Sequence, residues 1–369
     1  MIKLFDLKIN HLKKQKKINQ SIFEIIRKSN FIMGDEVYSL EKKLSKKLNT
    51  RYVVTCANGT DALNMSLMTF GFKKNSYVFV TNFSYIATAE VIKLNNLIPV
   101  FVDIDYTNFN ICPQKLEEKI NRYRNKNIVA IISVDLFGYP AEHEKISKIA
   151  KKFKLKYIID GSQSLGSKIK NKFSSNFGDV YTTSFFPTKP LGCFGDGGAV
   201  FTNNKSIAKK ITSLKFHGKG KHKNQHLRVG LNSRLDTIQA TILNQKINTF
   251  DNETLKKNFI ANRYLNEIKN KNIILPVYKK EYRNVYALFT IKTKKREKLI
   301  KLLKNNNIST GIYYSKPLSN QKVFKKSTIK YERIKETEKV CKECLSIPCH
   351  ANLKNYEVSK IINLLNNFK

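Results

Sequence analysis

Between about residue 50 and residue 215, short apolar runs rich in β-branched residues alternate with stretches whose apolar positions recur at helical spacing. The runs are YVFVT (77–81), IPVFVDID (98–105), IVAIISVDLFG (128–138), YIID (157–160), VYTTSFF (180–186) and GGAVFTN (197–203). Their apolar residues are nearly uninterrupted, as in strands buried on both faces, and segments 61–70, 84–94, 142–153 and 206–215 read as helices. This alternation predicts one large α/β domain with a mixed, mostly parallel sheet covered by helices. From about residue 246, Lys- and Asn-rich helical stretches surround shorter strands such as VYALFTIK (285–292). The expected division is therefore a large α/β domain over 1–245 and a small C-terminal α+β domain over 246–369.

With 369 residues, 41% hydrophobic and 11% aromatic, the chain carries enough apolar surface for about two folded domains. Its 68 Lys and Arg against 28 Asp and Glu give a formal charge of +40, a value that points first to nucleic acid or an anionic membrane. The lysines, however, are spread along the whole length among Asn and Ile. No dense basic arm, zinc-finger spacing or aromatic RNA-binding signature concentrates them, so drift in composition explains the charge better than a nucleic-acid partner. The excess still raises the local concentration of anionic ligands.

No apolar run is long enough to span a bilayer, and MIKLFDLKINHLKKQ lacks an apolar core with a small-residue cleavage site, so a cytoplasmic protein without a membrane partner is expected. Six cysteines without a disulfide-like spacing are expected to be reduced. Cys341 and Cys344 form a C-x-x-C with no matched second pair, and the segment reads as a helix end running into a strand-like SIPC, so no metal site is expected.

In open α/β sheets, ligands bind beyond the carboxyl ends of the strands, and several polar residues fall there. Lys189 in TSFFPTKPLGCFGDGG (183–198) follows an apolar strand on a tight turn, where a reachable, partly deprotonated amine can bond to an aldehyde; the plain alternative is a solvated turn lysine. Asp160 ends YIID and is followed by Gly161, Ser162 and Gln163; it either caps the next helix or presents its carboxylate to the crevice, where it would pair with a protonated pyridine nitrogen. In CANGTDAL (56–63), Gly59 and Thr60 open a helix whose free N–H groups suit a phosphate, and Ser184 offers a hydroxyl five residues before Lys189. Tyr85 in NFSYIATAEV (82–91) is either core or an aromatic face for a flat cofactor ring. Together these residues converge on pyridoxal 5'-phosphate.

In order and spacing, CANGTDAL, NFSYIATAEV, PVFVDID, YIIDGSQS, TSFFPTKPLGCFGDGG and GLNSRLDTIQA (230–240) resemble the sugar-nucleotide aminotransferases of the DegT/StrS type, which have the aspartate aminotransferase fold. The resemblance runs from FDLK (5–8) to the last helix. It implies that Lys189 forms the Schiff base and shuttles the proton, that Asp160 partners the pyridine nitrogen, and that Gln163 lies near the phenolic oxygen. It further implies that Tyr85 stacks on the ring and that Gly59, Thr60 and Ser184 bind the phosphate. Asn232 would reach the phosphate of a neighbouring subunit's cofactor, implying a homodimer with shared active sites. Related dehydratases carry histidine in place of this lysine, so Lys189 implies amino transfer, with L-glutamate as the expected donor.

The finer resemblance is to enzymes that aminate C3 of UDP-2-acetamido-2-deoxy-3-oxo-glucuronate for surface polysaccharides such as O-antigen. Arg234 matches an arginine near the sugar carboxylate, or else a structural arginine of the wider family. In GIYYSKPLSNQ (311–321), Tyr313, Tyr314 and Ser315 stand where close relatives carry His-Tyr-Pro, so a tyrosine replaces a sugar-contacting histidine. Ile159, Gly161 and Ser162 also depart from the family pattern, at packing positions. The alternatives are amination at C3 or C4 of a dTDP- or UDP-linked keto-deoxysugar and, from other classes, a nucleic-acid-binding protein or a regulatory protein that keeps the cofactor without turnover.

Overall fold

The computed structural model describes residues 1–12, 14–222, 224–325 and 334–369. Three helices open the chain, α1 (Leu7–Leu12), α2 (Gln15–Lys28) and α3 (Asp35–Leu48). Helix α3 shows why such segments fold. Val37, Leu40, Leu44 and Leu48 make one buried stripe, Asp35 and Glu36 sit at the positive end, Lys46 and Lys47 sit at the negative end, and Asn49 closes it in the left-handed conformation.

The alternating region follows as β1 (Tyr52–Cys56), α4 (Gly59–Phe70), β2 (Tyr77–Thr81), α5 (Ala87–Leu94), β3 (Ile98–Val102), α6 (Pro113–Arg122), β4 (Ile128–Val134), α7 (His143–Lys152) and β5 (Lys156–Asp160). Two short strands, β6 (Lys168–Ile169) and β7 (Lys172–Phe173), precede β8 (Val180–Ser184), β9 (Gly198–Thr202), α8 (Lys205–Leu214) and α9 (Thr237–Lys246). Helix α10 (Phe250–Glu267) leads to β10 (Tyr282–Arg283), β11 (Phe289–Lys292), α11 (Arg296–Asn305), α12 (Lys335–Glu343), β12 (Cys344–Ile347) and α13 (Asn355–Asn366).

Seven strands form one sheet in the order β1-β9-β8-β5-β4-β2-β3. Only β9 runs against the others, paired antiparallel with β1 and with β8. The expected α/β sheet is therefore present, with one strand more than the six apolar runs suggested. Three of those runs overshoot. The strands stop at Val102, Val134 and Ser184, and the apolar residues beyond them enter turns at the sheet's carboxyl edge. The expected strand 285–292 is paired only from Phe289 to Lys292, and the expected helix 84–94 begins at Ala87.

Apolar residues from α3, the sheet and α9 form one core, and a second core joins Ile260, Tyr264, Phe289, Leu303, Leu345 and Ile361. Each fully buried aliphatic of this kind contributes roughly 1.5–3 kcal/mol. Ile2 belongs to the second core: its N–H donates to Asn307 O at 2.8 Å, and it bridges Ile308. The chain around Ile2 thus lies against residues Asn307 and Ile308, far along the sequence.

Candidate active site

The carboxyl ends of β1, β2, β4, β5 and β8 open into one cavity of about 780 Å³. Its lining includes Gly59, Thr60, Tyr85, Asp160, Gln163, Ser184, Lys189, Tyr313 and Tyr314, nine residues singled out above, which the fold brings together from segments far apart in sequence.

The end of the cavity at α4 is built by a close approach. Asn58 caps α4, its side chain accepting the Asp61 N–H at 2.7 Å, so the N–H groups of Gly59 and Thr60 in the first turn have no intrahelical acceptor. A Cβ on Gly59 would lie 2.7 Å from Ser184 Cβ, which explains why glycine stands where the helix meets the end of β8. Ser184 Oγ accepts the Phe186 N–H at 3.2 Å, and the turn that follows is closed by Lys189 N–H donating to Phe186 O at 2.8 Å.

At the other end, Asp160 is buried with both carboxylate oxygens engaged. Oδ2 accepts the Thr88 hydroxyl at 2.7 Å, and Oδ1 accepts the Ser162 N–H at 3.1 Å. It caps no helix; the chain enters a run of turns after it, and Gly161 there abuts the Tyr181 ring, 2.0 Å from where a Cβ would stand. Gln163 Oε1 accepts the Phe137 N–H at 2.6 Å, leaving its amino group to donate toward Tyr314 Oη at 3.3 Å. Burial lowers the pKa of the Lys189 ammonium below its ordinary value, while the Asp160 charge pulls it back up. The neutral fraction of this amine is therefore larger than that of a solvated lysine. Tyr85 is 58% exposed at the cavity mouth, its ring centroid 6.5 Å from that of Tyr314. Burial raises the pKa of both Tyr313 and Tyr314, so both phenols stay protonated donors.

Asn232 and Arg234 do not line this cavity. They alternate with buried Ser233 and Leu235 along an extended segment, so both project outward, Asn232 opposite Phe216 and the Arg234 guanidinium 5.9 Å from the Phe216 ring. Ser233 ties the segment to the turn before α4 by accepting the Ala57 N–H at 3.2 Å.

Residues 12–366 match the model of the DegT/DnrJ/EryC1/StrS aminotransferase family. The chain belongs to this family. It is 37% identical over 367 residues, covering both chains fully, to a Pseudomonas aeruginosa protein named UDP-2-acetamido-2-deoxy-3-oxo-D-glucuronate aminotransferase. Its fold is that of an aminotransferase of the family from Brucella abortus, with a TM-score of 0.97 at 37% identity over 100% of this chain and 99% of that one. NtdA from Bacillus subtilis, solved with bound cofactor PMP, has a TM-score of 0.90 at 27% identity over 99% of this chain and 85% of that one.

Members of the DegT/DnrJ/EryC1/StrS family depend on pyridoxal 5'-phosphate, and the cavity fits that cofactor. Free N–H groups and a serine hydroxyl face one end, a buried two-fold hydrogen-bonded carboxylate faces the other, and a lysine of lowered pKa stands between the strand ends. Sequence reasoning missed Asn58, Ser84, Thr88 and Phe5. Asn58 carried a legible signal, an Asn just before a helix; Thr88, inside a helix and fully buried, carried none. Among the described residues no cluster of three or more metal-binding side chains occurs, and no helix is long and apolar enough to cross a membrane.

Proposed function

We propose that this aminotransferase moves the amino group of L-glutamate to C3 of UDP-2-acetamido-2-deoxy-3-oxo-glucuronate, in the cytoplasm, for a surface polysaccharide such as O-antigen. The observation that carries the reading is full-length identity of 37% to a protein of that name, joined to a cavity that holds a neutral-prone lysine and a buried carboxylate.

When bound, pyridoxal 5'-phosphate carries the amino group between donor and acceptor and draws electrons from the reacting carbon. Lys189 would hold the cofactor aldehyde through its amine and, as a free amine, would take the proton from the amino-acid carbon as base and deliver it as acid to the carbon that bore the aldehyde. Asp160 would pair with the pyridine nitrogen and keep it protonated. Gln163 donates from Nε2, since its carbonyl is engaged by Phe137. Gly59, Thr60 and Ser184 would hold the phosphate, and Tyr85 would cover one ring face. Tyr313 and Tyr314 meet the sugar hydroxyls as donors.

The active unit in this reading is a homodimer. Exposed Phe31, Ile32 and Phe194 surround the segment that bears Asn232 and Arg234: Ile32 bridges Asp236, and Phe194 N–H donates to Gln239 Oε1 at 2.9 Å. An apolar patch of this kind suits a second copy of the chain. Asn232 then reaches the partner's cofactor phosphate and Arg234 the sugar carboxylate there, through a bidentate contact. The net charge of +40 favours approach of a substrate bearing a diphosphate and a carboxylate.

The test is nuclear magnetic resonance of the products formed with L-glutamate and the 3-oxo-uronic nucleotide. The reading requires a new amine at C3 together with 2-oxoglutarate. Amination of only a neutral 4-keto-6-deoxysugar nucleotide would overturn the substrate and keep the reaction.

A further inference from the structure

Behind the cavity, Ser84, Thr88 and Asp160 form a chain of hydrogen bonds that the roles assigned above leave unexplained. Ser84 Oγ lies 3.0 Å from Thr88 Oγ1, and Thr88 Oγ1 lies 2.7 Å from Asp160 Oδ2. Thr88 is fully buried, and Ser84 is 4% exposed and lines the cavity. Chemistry fixes the direction of both bonds. An ionised carboxylate only accepts, so the single Thr88 hydroxyl proton points at Asp160. Thr88 can then only accept from Ser84, and Ser84 turns a lone pair, not a proton, to the cavity.

The consequence is geometric. Asp160 Oδ1 is held by the Ser162 N–H at 3.1 Å, so the Thr88 bond is the second of two that fix the plane of the carboxylate. Thr88 lies one turn after Tyr85 at the start of α5, its N–H donating to Tyr85 O at 3.3 Å. One helix start therefore sets both the aromatic face at Tyr85 and the carboxylate at Asp160.

We propose that Thr88 is a positioning residue for the cofactor, and that Ser84 and Thr88 act as a directed pair of hydroxyls holding Asp160 in line with the pyridine nitrogen. The proposal rests on the cofactor assignment above. Valine at 88 keeps the shape but leaves the buried Asp160 Oδ2 short of a donor and lets the Ser84 proton turn to the cavity.

The experiment measures the dissociation constant of pyridoxal 5'-phosphate and the pH titration of its visible band in the full-length protein. Thr88→Val is expected to weaken binding about ten-fold. It should also move the titration upward by about one pH unit, because a less protonated ring withdraws less from the imine. Thr88→Ser restores both values. Ser84→Ala has a smaller effect, and in the Thr88→Val background it adds nothing, since Ser84 acts through Thr88. Binding by Thr88→Val within two-fold of wild type, with an unshifted titration, overturns the proposal; so does Thr88→Ser as weak as Thr88→Val. Should Thr88→Val not fold, Ser84→Ala decides: unchanged affinity and titration overturn the proposal. A wild-type chain that takes up no cofactor overturns the cofactor assignment itself, which separates the two failures.

Discussion

Replacing Gly59 with alanine tests the proposed phosphate end of the site through its packing. The new Cβ would stand 2.7 Å from Ser184 Cβ and 3.3 Å from Ser184 Cα. Carbon atoms in contact prefer about 3.5–4.0 Å, so the shortfall is on the order of 1 Å. The helix end cannot retreat, because Gly198 packs on the other side of the same peptide: a Cβ there would meet Asn58 O at 2.3 Å. Overpacking of this kind costs about 1–3 kcal/mol, against which the better helix propensity of alanine returns up to about 1 kcal/mol. Urea unfolding of cofactor-free protein should show a net loss of about 1–2 kcal/mol. Fluorescence titration should show cofactor binding weakened by about ten-fold or more, as the two free N–H groups move off the phosphate. In the Gly59→Ala background, Ser184→Gly clears the close contact and restores stability, whereas Ser184→Ala keeps the Cβ and does not. Wild-type stability and affinity in Gly59→Ala, or equal rescue by both partners, would refute the reasoning.

Mixing inactive Lys189→Ala with inactive Asn232→Ala subunits should regain activity toward about a quarter of wild type, since each mixed dimer carries one site with both native residues; no recovery on subunit exchange would argue against shared sites. Arg234→Ala should raise KM for the acidic sugar nucleotide about ten-fold or more while leaving the glutamate half-reaction unchanged, and an equal loss in both half-reactions would mark Arg234 as structural. Lys292 is buried, donates to Tyr106 O at 2.5 Å and lies under the Tyr106 and Phe109 rings; burial pushes its pKa down to about 8. Between pH 8 and its unfolded value near 10.5 the unfolded chain binds the extra proton, so stability gains up to about 1.4 kcal/mol per pH unit from this group. Lys292→Met should lose that increment in urea unfolding at pH 7.5, 8.5 and 9.5, and an unchanged slope would contradict the assignment.

The sheet was legible because strands buried on both faces must be apolar throughout, as in Ile158 and Ile159 of β5 or Val78 to Val80 of β2. The same rule made three strands look too long. Phe101 and Val102 are core, but Ile104, Leu136 and Phe185 are also buried while lying beyond the strand ends, so hydrophobicity alone did not mark where pairing stops. Strand β1, YVVTC, was passed over although it is as long as YVFVT, and its pairing partner, β9, lies about 145 residues away. At the site, Gly59, Thr60, Tyr85, Asp160, Ser184 and Lys189 were legible one by one, Gln163, Tyr313 and Tyr314 only through resemblance, and the fold placed all nine around one cavity. Thr88 and the Phe137 N–H were not. Their roles depend on contacts to Asp160 and Gln163 across 72 and 26 positions, which no local pattern encodes. Asn232 and Arg234 were legible only through resemblance, and their outward projection from a single chain shows why local reading passes over them.

The decisive measurement is the absorption spectrum of the purified protein before and after L-glutamate, and again after the 3-oxo-uronic nucleotide is generated in the cuvette. The visible band of bound cofactor should convert to the amine form with glutamate and return only with that sugar, and the band should be absent from Lys189→Ala. A conversion that the sugar fails to reverse would contradict the assigned substrate, with Tyr313 the first residue to exchange; no band in the presence of added pyridoxal 5'-phosphate would contradict the enzyme itself.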